Sequence, residues 1–275
     1  NSILIDKNVS SVQKGVLIYC KFRENEKCPP WELRAKEIKH NSSKKTIYYD
    51  SAVLKIYDFP IFYFPKFSHP DPTVDRRSGF LPPSFSDSKN LGSGVSIPYF
   101  WALNKDKNFT LTNKLYVSEN PLFLGEYHQA FNKASLLTDF GYTKGYKKSN
   151  AKKKAGSKSH IFAKFIKNFD INNNTENTLS LSIQNVSDDK YLKLYKIDSR
   201  LTDYNTNTLE SSLSFTHEDE DIFFGINTSI FETLSDSYND KYEYILPEIT
   251  IDKNLISDEN LGSLDLQTSY KARIF

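Results

Sequence analysis

Apolar and polar residues alternate with a period of two along most of this chain. In Thr208 to His217, Leu209, Ser211, Leu213 and Phe215 fall on one face and Thr208, Glu210, Ser212, Ser214 and Thr216 on the other. Asn108 to Val117 repeats the device, with Phe109, Leu111, Leu115 and Val117 opposing Thr110, Thr112, Lys114 and Tyr116. In Thr178 to Gln184, Leu179, Leu181 and Ile183 oppose Thr178, Ser180, Ser182 and Gln184. Near the end, Leu264, Leu266, Thr268 and Tyr270 oppose Asp265, Gln267, Ser269 and Lys271. A 180° repeat predicts half-buried strands, and helical periodicity is nearly absent. Clusters of short polar residues separate the runs: Asn104 to Lys107, Asn172 to Asn174, Ser235 to Ser237 and Ser257 to Asn260. Asn, Asp and Ser suit turns because their side chains bond the local backbone.

From about Ser78 onward the pattern predicts roughly eleven strands, many about ten residues long, against about 5–6 for globular strands and about 9–11 for tilted membrane strands. Long two-faced strands, short polar turns and many aromatics form the outer-membrane barrel pattern. A large soluble β-sandwich, for instance one that binds carbohydrate, shares the alternation. The first seventy or so residues differ. Trp31 to His40, Thr46 to Tyr57 and Ile61 to Phe67 read as shorter strands with tighter turns. His69-Pro70-Asp71-Pro72-Thr73 then reads as a stiff linker, because proline fixes φ and restricts the residue before it. The expected domains are therefore residues 1–73 and 74–275.

Composition narrows the class. Aromatics make up 14% of the 275 residues, with 20 Phe and 17 Tyr, which excludes a disordered chain and suits β-structure. No stretch approaches the roughly 18 apolar residues of a membrane helix. The 36 Lys and Arg against 34 Asp and Glu leave +2, so no charge excess points to nucleic acid. Met is absent, no basic-then-apolar leader is present, and the chain stops in strand pattern at Arg273-Ile274-Phe275. It is expected to be an internal fragment of a longer protein.

Specific motifs then come into view. They are Cys28-Pro29-Pro30-Trp31-Glu32-Leu33-Arg34-Ala35, Thr46-Ile47-Tyr48-Tyr49-Asp50-Ser51-Ala52 and Pro60-Ile61-Phe62-Tyr63-Phe64-Pro65. The most specific is His69-Pro70-Asp71-Pro72-Thr73-Val74-Asp75-Arg76-Arg77-Ser78-Gly79-Phe80-Leu81-Pro82-Pro83, followed by Ile97-Pro98-Tyr99-Phe100-Trp101. In order and spacing these resemble the LptD (OstA) family of outer-membrane lipopolysaccharide-assembly proteins, from about residue 17 to about residue 150. The resemblance implies an all-β chain: the last strands of a periplasmic jellyroll, then the first strands of a large antiparallel transmembrane β-barrel. It implies a non-enzymatic function without cofactor, transporting lipopolysaccharide into the outer leaflet through a lateral gate between the first and last strands. The implied partners are lipopolysaccharide, an LptE-like plug lipoprotein, an LptA-like periplasmic bridge protein and outer-membrane lipids. A porin-like diffusion channel is the alternative.

Candidate site residues follow. Pro82, Pro83 and Pro98 fall in the expected first two barrel strands, where each removes a ladder donor. Pro83 and Pro98 match family positions that loosen the gate, whereas Pro82 is additional; ordinary strand-end prolines are the bland reading. Cys20 and Cys28 are the two cysteines. They could bridge locally, and a periplasmic pair is expected to be oxidised; the resemblance equally implies long-range bridges to the barrel. Two thiols without placed histidines do not complete a zinc shell, so no metal is expected. Lys144, Lys147, Lys148, Lys152, Lys153, Lys154 and Lys158 crowd one loop, which is either a solvated charge run or a contact for phosphorylated lipid head groups. The scattered His40, His69, His128, His160 and His217 form no HExxH, and GxSxG and phosphate-binding glycine motifs are absent. The acidic run Glu218 to Asp221 reads as a solvated turn, with calcium as the lesser reading.

Overall fold

A computed structural model describes residues 2–6, 8–17, 31–56, 59–71, 73–74, 76–148, 155–171, 175–235, 241–258 and 262–274. The chain divides into two compact units, Asn1–Arg77 and Ser78–Phe275. Both are antiparallel sheets, as the alternation predicts.

In the first unit, β1 (Ser2–Asp6), β2 (Val9–Leu17), β3 (Trp31–Asn41), β4 (Thr46–Ile56) and β5 (Phe59–Pro70) pair in sequence order. Leu33 and Ala35 on β3 and Tyr49 and Ala52 on β4 form its buried core, with Ile38, Ile47, Leu54 and Phe64 packed around them. Strand β5 is an edge, where Pro60, Pro65 and Pro70 are tolerable because an edge leaves one row of backbone groups unpaired. It runs further than expected: His69 and Pro70 pair with Ile47 and Thr46, so the start of the expected linker is strand. The sequence pattern does not predict β1 and β2. The polar residues Ser10, Ser11, Gln13 and Lys14 mask the alternation of β2, and Lys14 takes a left-handed φ of 53°. After β5, Asp71 accepts the Thr73 N–H at 2.8 Å and pairs with His40, contacts that hold its carboxyl below the usual carboxylate range.

In the second unit the elements are β6 (Gly79–Phe80), β7 (Ser84–Ser86), β8 (Gly94–Trp101), β9 (Lys107–Tyr116), β10 (Leu122–Phe131), β11 (Ala134–Gly145), β12 (Ala155–Phe169), β13 (Glu176–Val186), α1 (Tyr191–Tyr195), β14 (Thr208–Glu218), β15 (Ile222–Thr233), β16 (Tyr242–Asp258) and β17 (Gly262–Ile274). Strands β8 to β17 form an unbroken meander, and β6 and β7 pair with the two ends of β8, so together they act as one interrupted strand.

Register assigns every residue of this sheet to a face. One face carries Ser96, Thr110, Thr112, Lys114, Glu126, Asp139, Lys164, Ser180, Ser182, Ser212, Ser214, Asn227, Thr250 and Gln267. The other carries Ile97, Tyr99, Trp101, Phe109, Leu111, Phe123, Phe140, Ile161, Phe165, Leu181, Leu213, Ile226, Ile249 and Leu266. The apolar face is uncovered: Phe123, Phe140, Ile161, Leu213 and Leu266 are all exposed. The two rims also differ. Connections 87–93, 117–121, 146–154, 187–207 and 234–241 leave one rim, here called the loop rim. Connections 102–106, 132–133, 170–175, 219–221 and 259–261, shorter on average, leave the other, the turn rim.

Candidate functional site

The first strand of the sheet is broken where the sequence places prolines. Gly79 and Phe80 face Phe100 and Tyr99, and Ser84 to Ser86 face Ser96 to Gly94. Between them Leu81, Pro82 and Pro83 oppose only Pro98 and Ile97, so the register slips by one residue, as in a bulge. One bond crosses the break, from the Leu81 N–H to the Pro98 carbonyl at 2.9 Å. In an antiparallel pair the N–H and C=O of one residue point to the same neighbour. The donor that Pro98 lacks is therefore missing on the side of the broken strand, and the return bond to the Leu81 carbonyl cannot form. On its other side β8 pairs with β9 at every position from Gly94 to Trp101. Pro83 is exposed and Pro98 half-buried.

A second feature escaped the alternation. Residues 187–207 fold back onto the polar face near the loop rim, carrying the short helix α1. Tyr191, Leu192 and Tyr195 bury against Leu122, Phe162 and Val186, with Tyr116 and Leu124 beside them. Gly141 makes room for this. A Cβ there would lie 2.5 Å from His160 Cε1 and 2.8 Å from both Leu124 Cδ2 and the Tyr191 hydroxyl. The His160 ring is buried between two partners, with Nδ1 3.1 Å from the Tyr191 hydroxyl and Nε2 3.2 Å from Asp139 Oδ1. Burial pushes the Tyr195 hydroxyl up to about 12 and raises that of Tyr191 as well, so both stay protonated. Ion pairs close the rim: Lys158 with Asp188, and Lys241 at 3.0 Å from both Asp189 and Glu232. A signal for α1 existed in the sequence. Tyr191, Leu192 and Tyr195 have helical spacing and follow Asp188, which accepts the Lys190 N–H at 3.1 Å.

The other sequence candidates are not gathered here. Cys20, Cys28, Lys152, Lys153 and Lys154 lie outside the described residues. Lys147 and Lys148 are exposed at the loop rim, and the Lys147 N–H donates to Glu119 at 2.8 Å. Lys158 is not a loop residue. It lies on β12, buried, with its charge taken by Asp188. In the run from Glu218 to Asp221, Glu218 ends β14 and Asp219 to Asp221 form the turn to β15. Among the described residues no group of three or more His, Cys, Asp or Glu could hold a metal ion.

No protein-family model matches the chain. Similarity to curated proteins is confined to part of it. The LPS-assembly protein LptD of Shewanella sp. (strain MR-4) is 40% identical over 100 residues, covering 35% of this chain and 13% of that protein. The LptD of Psychrobacter arcticus is 34% identical over 106 residues, covering 36% and 11%. The LptD of Francisella tularensis subsp. novicida is 31% identical over 115 residues, covering 39% and 13%. The chain thus matches about an eighth of the length of these relatives. Among solved structures, Pseudomonas aeruginosa OpdK with vanillate gives a TM-score of 0.33 at 9% identity, covering 98% of this chain and 72% of that one. A BenF-like porin from Pseudomonas fluorescens gives 0.32 at 12% identity, covering 98% and 70%.

Proposed function

We propose that this chain serves lipopolysaccharide assembly at the outer membrane, moving lipopolysaccharide into the outer leaflet without catalysis. The observation that carries this reading is the 40% identity to an LPS-assembly protein over 100 residues. The sheet chemistry agrees with it. An uncovered apolar face backed by a polar one is what a barrel wall needs, with hydrocarbon outside and water inside. In this reading Ser78–Phe275 begins a large barrel, and the preceding unit is the end of a periplasmic jellyroll that receives lipopolysaccharide from an LptA-like bridge. An LptE-like lipoprotein would plug the lumen. The broken first strand, with Pro83 and Pro98, would form one side of a lateral gate, letting a sugar head leave sideways while acyl chains stay in hydrocarbon. The loop rim would then face outward, as the longer connections of outer-membrane barrels do, placing Lys147, Lys148, Lys152, Lys153 and Lys154 near lipid phosphates.

The test is depletion of the protein in its own cells. Surface-exposed lipopolysaccharide should fall while other barrels stay in place. Normal lipopolysaccharide together with lost uptake of small solutes would instead identify a diffusion channel. Orientation has its own check: a cysteine at Lys148 should react with a membrane-impermeant maleimide on intact cells, and reaction only after outer-membrane lysis would reverse the topology.

A further inference from the structure

We propose that the turn rim of the apolar face binds the head groups of anionic phospholipids through Lys107, Lys133 and Lys167; this rests on the reading that the apolar face lies against lipid. The first observation is how charge divides between the faces. By register Glu126, Asp139, Glu176, Glu210, Glu218, Glu243, Glu248, Asp252 and Asp265 all share the polar face. On β8 to β15 the carboxylate of the apolar face is Glu232, and it is buried at the loop rim against Lys241. Lysines are not divided in this way. Lys107 and Lys167 lie on the apolar face, near the turn-rim ends of β9 and β12. Lys133 lies between them in the turn from β10 to β11, paired with Asp170 in an ion pair whose two side chains are about half exposed.

The second observation is what surrounds them. Lys107 shares its face with Phe109, which stacks on Trp101 at 5.7 Å, and with its partner Gln129. Ala134 stands between Phe131 and Lys167, so a small side chain separates the exposed Phe131 ring from the lysine. The Lys167 ammonium lies 5.9 Å over the Phe169 ring. Aromatic rings, Trp101 with its polar indole N–H among them, and long cationic side chains at the end of an apolar face suit a membrane interface: the stems cover apolar surface while the ammonium groups reach the phosphate layer. A zwitterionic lipid would satisfy the apolar part alone. On β8 to β12 this face carries Lys107 and Lys167 and no strand carboxylate, and Asp170 at the rim is matched by Lys133, so the excess positive charge adds attraction for a head group with net negative charge. Lys253 is left out because the acidic turn from Asp219 to Asp221 lines the same hollow.

Trp101 stacks on Phe109, two residues from Lys107 on the same face, and is partly exposed, so it can report on the lipid touching this end of the patch. The full protein in which every tryptophan except Trp101 is replaced by phenylalanine is placed in dioleoyl-phosphatidylcholine vesicles, and quenching of Trp101 by dibrominated lipids is measured. Dibrominated phosphatidylglycerol should bind near Trp101 about three-fold more strongly than dibrominated phosphatidylcholine. The triple variant Lys107→Gln, Lys133→Gln, Lys167→Gln should bring that ratio close to one, and so should salt near 1 M. Lys164→Gln removes a lysine from the polar face and should leave the ratio unchanged. A triple variant that keeps the wild-type ratio, or a wild-type protein quenched equally by both lipids, overturns the proposal while leaving the apolar face in lipid. Absence of quenching by either lipid overturns the lipid-facing reading itself, and the proposal with it.

Discussion

Two stretches of the same meander are built to opposite rules. Strands β10 to β12 pair residue for residue from Leu122 through Phe131 and from Ala134 through Thr143, and the loop rim above them is locked by a packed helix. The broken first strand meets β8 at two short stretches separated by a proline bulge, and its Phe80 and Phe85 are exposed. The alternation of residue types hardly differs between them. What differs is the supply of backbone donors: Pro82, Pro83 and, across the ladder, Pro98 remove three around one break. A ladder can therefore be made weak at one place without changing the hydrophobic pattern of its two faces.

The largest effect is expected where packing is densest. Phe162 is fully buried against Tyr191 and the His160 ring, whose centroid lies 4.7 Å away. Phe162→Ala should lower stability by about 3–5 kcal/mol, the usual cost of a large cavity. Phe80 is 75% exposed at the broken strand, and Phe80→Ala should cost about 1 kcal/mol or less. Urea unfolding of both variants in detergent micelles measures the difference. Equal losses would mean that the two stretches are equally integrated, and the contrast would disappear.

An intermediate effect tests whether the loop 187–207 is held by its floor. Gly141→Val puts a branched side chain where His160, Leu124 and Tyr191 already converge. Overpacking of this kind costs about 1–3 kcal/mol. Because β11 and β12 cannot separate without losing their ladder, the loop should yield first. Protease sites around Lys193 and Arg200 should become accessible at urea concentrations that leave the strands intact. Unchanged protection would show that the loop is held mainly by the ion pairs of Lys158 and Lys241.

The sheet was legible in the sequence because a period of two survives in several long strands of the second unit, Thr178 to Gln184 and Thr208 to His217 among them. The loop on the polar face was not. Its helix spans five residues, too short for a 3.6-residue period to repeat, and its partners Leu122, Phe162 and Val186 lie far apart in sequence. Asp139 and His160 read as ordinary polar-face residues until register sets them beside each other under Tyr191. Lys158 was misplaced for a related reason. A lysine run such as Lys152 to Lys158 has no internal mark of where solvent ends, and only the distant Asp188 fixes Lys158 as buried. The prolines were legible as donors removed, since that property needs no tertiary partner. The side of β8 on which Pro98 leaves its gap is set by the Leu81 bond and could not be read from sequence.

The smallest effect on stability is expected from mending the break, although its effect on function should be plain. Pro98→Val restores an N–H opposite the Leu81 carbonyl, completing a reciprocal pair of which one bond already exists at 2.9 Å. Pro83→Val returns a second donor to the interrupted stretch. Each new bond is worth about 0.5–1.5 kcal/mol net in water, and more where hydrocarbon excludes competing water. Pro98→Val should be the stronger of the two, because its acceptor is already in register, whereas residue 83 lies at the slip. A first strand zipped onto β8 gives a more rigid seam. If lipopolysaccharide leaves there, the double variant should slow its arrival at the cell surface while the amount of folded barrel stays normal. The measurement is pulse-labelled lipopolysaccharide at the surface, with heat-modifiable barrel followed in parallel. Unslowed delivery at normal abundance would mean that Pro83 and Pro98 only shape the start of the sheet, and the contrast between the two stretches would then be structural without being functional.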